Sequence, residues 1–314
     1  MPSRIFVHAK RPIAKGNYHS YADVSRLYSQ ITMTVHLKRW HVFSTLAIVG
    51  LSIVSSLLGL FVSGHYTGSS DLLARNQAQD ATILAIGVPA LAAGLWLARK
   101  GSLRGQFLWL GSLAYMVYMW ASYALTLSFN AYFLGYLALF VLSTFTLASG
   151  VLAIDANGVK QTLSGRISRP LFVGFLAFTT VGLSVLWLSE LIPATIEGTE
   201  PAVVEEFDGG LATYVLDLGL VVPTLAVAAR WLWRDRAWGY ATTGVLLVFA
   251  AVLAPTLTAT LAVDATTGVS MTVPMMVLTA VPPLIGAAFA IRYLLAIDGR
   301  QDDRLAEEDE IAPA

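Results

Sequence analysis

Leu211–Tyr240 reads LATYVLDLGLVVPTLAVAARWLWRDRAWGY. It places one carboxylate, Asp217, and one proline, Pro223, inside an apolar run that closes on Arg230, Arg234, Asp235 and Arg236. An apolar run of about twenty residues is long enough to cross a bilayer as a helix. An acid within such a helix is costly in lipid, so Asp217 is expected to face protein or water. At about 1.5 Å per residue it lies roughly 8 Å below a helix start at Ala212.

The rest of the chain agrees with a membrane setting. Of 314 residues, 56% are hydrophobic and 13% charged, and the mean hydropathy is +0.66. That is too apolar for a water-soluble domain of this length and reads as an all-α, polytopic membrane protein. The formal charge is zero, which gives no basic excess to recruit nucleic acid. With no cysteine, disulfides, thiol nucleophiles and Cys-ligated metals are excluded together.

Eight apolar runs are long enough to span: about 42–62, 81–97, 107–127, 132–152, 171–191, 212–229, 240–261 and 273–295. Their connections alternate in charge. Nineteen of the twenty Lys and Arg residues fall on one side, and the other side has Arg75 alone. The positive-inside rule therefore expects both termini in the cytoplasm and the protein in the cell membrane. Residues 1–40 read as a basic cytoplasmic segment without a cleavable signal, with Met33 as an alternative start. Residues 299–314 read as an acidic, solvated cytoplasmic tail, and Glu197–Asp208 as a solvated external loop.

Three short matches recur in order. Val49-Gly50-Leu51-Ser52 returns at Val181, Val88-Pro89-Ala90-Leu91-Ala92 returns as Val222-Pro223-Thr224-Leu225-Ala226, and Leu152-Ala153-Ile154-Asp155 returns at Leu295. The separations, 132, 134 and 143 residues, predict two parallel four-helix repeats, 41–156 and 157–298.

Candidate ligand-binding residues are the polar groups at membrane depth toward the external face: Asp80, Asn130, Glu190 and Asp217, with Tyr115 and Tyr118 as central hydroxyls that need partners. Asp80 is read as opening the second helix, and it and Glu190 are expected in interfacial water. Asp217 is a binding group or a buried structural bond. Pro89 and Pro223 are candidate hinges, each removing a backbone donor. None of the five histidines lies in mid-membrane, no lysine lies within a span, and HExxH, Walker A, GxSxG and dinucleotide motifs are absent. No cofactor or metal site is implied; His65 with Asp71 and Asp80 is read as a chance grouping.

Arg99-Lys100-Gly101-Ser102-Leu103-Arg104 with Leu108-Trp109-Leu110-Gly111 and Tyr115, Phe129-Asn130 with Phe133-Leu134, Trp187-Leu188-Ser189-Glu190, and Val215-Leu216-Asp217-Leu218 with Pro223 and Trp238-Gly239-Tyr240 resemble a family of multi-pass membrane proteins of bacteria and archaea. The resemblance covers helices two to seven. That family has no established activity, and often has histidine where Tyr214 stands here, so the resemblance implies interest in Glu190 and Asp217 but no reaction. Beyond the lipid bilayer, the expected partner is a small solute or a cation. The first functional reading is a transporter or binding protein with an external carboxylate pocket. The alternative is a structural or regulatory membrane protein. An enzyme ranks third, for want of a nucleophile and base that the sequence pairs.

Overall fold

The computed structural model describes residues 37–201, 211–267 and 273–311. The basic segment before residue 37, Met33 within it, and most of the Glu197–Asp208 loop lie outside the described residues. Nine helices are described: α1 Arg39–Phe61, α2 Ser70–Arg99, α3 Leu103–Thr126, α4 Phe133–Leu152, α5 Ala156–Leu163, α6 Arg169–Glu197, α7 Ala212–Trp233, α8 Ala237–Thr267 and α9 Val273–Ile311. Every regular element among the described residues is helical.

Seven helices are long and apolar enough to cross a membrane: α1, α2, α4, α6, α7, α8 and the Thr279–Ile297 part of α9. The protein is thus a multi-pass membrane protein. The remaining long helix, α3, covers the expected run 107–127 but is too polar to join that group. Its place explains its composition. Fifteen of its 24 residues are buried, Trp109, Tyr115 and Trp120 among them. A helix that meets protein on most of its surface has no need of an apolar outer face.

α3 packs on α2, α4 and α8, and α8 packs on α7, α9 and α3. These two helices form the centre. Their close approach depends on glycine: a Cβ on Gly111 would stand 2.4 Å from Val248 Cβ, and one on Gly244 2.7 Å from the Phe107 ring.

The α2–α3 and α7–α8 hairpins have the same local geometry. Each first helix carries a five-residue π-turn, Ile83–Gly87 in α2 and Asp217–Val221 in α7. Each π-turn is followed by Val-Pro, and the residue before the proline donates five residues back, Val88 N to Ile83 O and Val222 N to Asp217 O. A proline ring clashes with the carbonyl four residues earlier; the wider turn accommodates it. Both hairpins then turn through one left-handed residue, Gly101 (φ 82°) or Asp235 (φ 54°). Both seat a glycine, Gly105 or Gly239, against the backbone of the preceding helix.

Two boundaries differ from the sequence reading. α2 begins at Ser70, not Ala81, because Ser69 Oγ accepts the Leu72 amide at 3.2 Å and caps it. Asp80 is therefore inside a helix and receives no N-terminal dipole. α9 runs on to Ile311 in place of an unstructured tail; three glutamates with Gln301, Arg304, Leu305 and Ala306 in its last stretch favour helix.

Candidate functional site

Asp217 is the first residue of the π-turn in α7 and is 8% exposed. Tyr118 of α3 donates to its Oδ1 at 3.0 Å, and Trp187 Nε1 of α6 donates to its Oδ2 at 2.8 Å. The carboxylate thus joins three helices, and both oxygens act as acceptors. One turn earlier, Tyr214 donates to Glu190 Oε2 at 2.7 Å, and its ring meets Trp187 edge-on at 5.1 Å. Glu190 is linked to the Asp217 cluster through this aromatic pair.

A cavity of about 120 Å³ opens beside Asp217, lined by α6, α7, α8, α9 and Tyr118. Its walls are mainly Phe175, Leu176, Leu183, Phe249, Leu253 and the Pro282-Pro283 pair, with Thr179, Thr213 and Thr279 as further hydroxyls. Asp217 is its one charged residue. Among the described residues no basic side chain lines the cavity or pairs with this carboxylate.

Asp80 has a separate set of partners. It is fully buried, and it accepts from Tyr66 at 2.5 Å and Tyr123 at 3.2 Å. A Cβ on Gly59 would fall 2.0 Å from its Oδ2, so that glycine makes the space the carboxylate fills. The interfacial setting expected for Asp80 is corrected: aromatic side chains seal it from water. His65, also buried, bonds Tyr136 through Nε2 at 2.8 Å and packs on Tyr66 and Tyr132. Burial pulls its imidazole pKa down and pushes the Tyr66 phenol up. His65 Nε2 and Asp80 are thus engaged by tyrosines, and Asp71 meets Ser70 at 3.1 Å.

The other candidates separate. Tyr118 reaches Asp217, but Tyr115 bonds Thr256 at 2.9 Å, which bonds Thr82 at 2.9 Å; its ring lies where a Cβ on Gly87 would be. Asn130 Oδ1 accepts the Tyr132 amide at 2.8 Å and shapes the turn between α3 and α4. Pro89 and Pro223 each stand just after a π-turn, and of the two only the second turn borders the cavity.

Sequence reasoning missed Trp187 as a partner, although it stands in the quoted Trp187-Leu188-Ser189-Glu190. It also missed the ion pair between Arg75 and the buried Asp264, at 2.8 Å. The sequence carried a signal for that pair: Arg75 is the single basic residue on its side in the expected charge sorting. At the opposite end of the bundle Asp235 accepts from Lys160 at 2.6 Å, Tyr240 at 2.8 Å and Arg169 at 2.8 Å. These bonds, Lys160 first, hold its carboxyl pKa down at about 2.

Comparisons with protein-family models, with curated proteins and with solved structures return no match.

Proposed function

We propose that this protein binds, and carries across the membrane, a small organic cation with an apolar body, held in the cavity beside Asp217. The observation that carries the reading is a buried carboxylate with two neutral donors, no counter-charge among the described residues, and an apolar cavity at its side. A carboxylate so placed is costly unless a cation completes it. The cation would come with the ligand. The aromatic faces of Tyr118, Trp187 and Phe175 suit an ammonium group, and the aliphatic walls suit a hydrocarbon body.

The architecture proposed with it is eight spans in two parallel repeats of four, both termini cytoplasmic. The shared hairpin supports it: π-turn, proline, left-handed residue and packed glycine all recur at a separation of 134 residues. In that register Asp217 corresponds to Ile83, and Asp80 to Tyr214. The acid at the cavity would then be a feature of the second half alone.

The experiment is thermal stability of purified protein against inorganic cations and ammonium ions of increasing size, up to benzyltrimethylammonium. Stabilisation that grows with apolar size in wild type and is lost in Asp217→Asn is expected, because a ligand that binds only the folded state raises its apparent stability. One observation favours a structural role instead: Asp217 ties α3, α6 and α7 together. On that account Asp217→Asn would be less stable and no ion would stabilise wild type.

A further inference from the structure

A second, larger cavity of about 210 Å³ lies between α3, α4, α7 and α8. Its position along the helices differs from the first. It uses α8 residues 238–249 and the end of α4, near the basic connections, whereas the Asp217 cavity uses α8 residues 246–257 and the outer part of α7. The two share four wall residues, Tyr118, Val221, Leu246 and Phe249. The rings of Tyr118 and Phe249 stand 5.8 Å apart. Tyr118 is held in the wall by the bond from its hydroxyl to Asp217.

We infer that the inner cavity is a second station for the same organic cation, divided from the Asp217 station by Tyr118 and Phe249, so that the route of the solute runs past Tyr118. This inference rests on the reading of the Asp217 cavity as a binding site. The wall that the two cavities share argues for the same occupant. A cation that takes Asp217 competes with the Tyr118 hydroxyl for the carboxylate. Its arrival weakens the bond that holds the ring in the partition. The inner cavity offers no charge among the described residues that line it, so the solute is held there by its apolar body and by the ring faces of Tyr118, Phe249 and Trp238, more weakly than beside Asp217. An outer station that holds and an inner one that releases suit movement toward the basic face.

The test fills the inner cavity from two opposite walls with Thr224→Trp on α7 and Thr242→Trp on α8, both half-buried and neither lining the Asp217 cavity. Flux of radiolabelled benzyltrimethylammonium into proteoliposomes reads the route. Thermal stabilisation by the same compound reads the outer station and shows that each variant is folded. Flux reduced at least tenfold in both variants, with stabilisation retained, is expected. Wild-type flux in either folded variant would overturn the inference and make the inner cavity a crevice filled by lipid chains. Stabilisation of wild type without flux would overturn it too, while leaving the outer binding site intact. Neither effect in wild type would remove both readings.

Discussion

The residues that matter most are charges placed where charge is expensive. Arg75 and Asp264 form the clearest case, with the acid 1% exposed. Breaking a buried pair by removing one member costs about 3–5 kcal/mol. Arg75→Met is therefore expected to lower the denaturation midpoint in detergent sharply, and addition of Asp264→Leu to restore much of the loss. Asp235 behaves differently because it is 41% exposed, and screening limits what its ion pairs contribute. Its folded pKa is depressed to about 2. The stabilisation is thus present above the unfolded value near 4 and is lost as pH falls toward 2. Asp235→Asn keeps a side chain that tolerates the left-handed backbone. It is expected to melt below wild type at pH 6, with the two converging as pH approaches 2.

At the scale of elements, the hairpins are specified by glycine and proline more than by hydropathy. A Cβ on Gly105 would stand 2.5 Å from the Ala98 nitrogen, and one on Gly239 2.3 Å from the Leu232 nitrogen. Backbone atoms cannot rotate away. Gly105→Ala and Gly239→Ala are each expected to cost about 3 kcal/mol, read from thermal melts. Gly174→Ala in α6, where nothing lies within 4 Å, should be neutral or stabilising by up to about 1 kcal/mol. The helices themselves were legible from apolar run length, and the Val-Pro match marked the hairpins. The π-turns were not legible, since ILAIG and DLGLV share one aligned residue, Leu84 with Leu218, and the wide turn follows from the proline two residues later. Partners were less legible still. Tyr115 and Tyr118 look alike in sequence and are neighbours on one helix surface, yet one bonds Thr256 and the other Asp217. Which helix a hydroxyl meets is set by packing of distant segments.

At the scale of the molecule, the sorting of charge by side leads to an expectation of eight spans with both termini inside, whereas length and hydropathy pick out seven helices among the described residues and leave out α3. The cysteine-free chain makes the topology directly measurable. Single cysteines at Thr67, Lys100 and Ala131, all exposed, can be labelled in intact cells with a membrane-impermeant maleimide. With α3 crossing and the termini inside, Thr67→Cys and Ala131→Cys are expected to label, and Lys100→Cys only after permeabilisation. If α3 does not cross, Ala131→Cys will behave as Lys100→Cys does.

The central observation is a carboxylate with no counter-charge among the described residues, beside an apolar cavity. Isothermal titration of benzyltrimethylammonium into purified wild type, Asp217→Asn and Asp80→Asn tests it most directly. One tight site in wild type is expected, distinct from any weaker binding at the inner station, with its affinity weakened at least tenfold in Asp217→Asn and unchanged in Asp80→Asn, whose acid is sealed by its own tyrosines. Equal affinity in wild type and Asp217→Asn, or no binding to wild type, would contradict it.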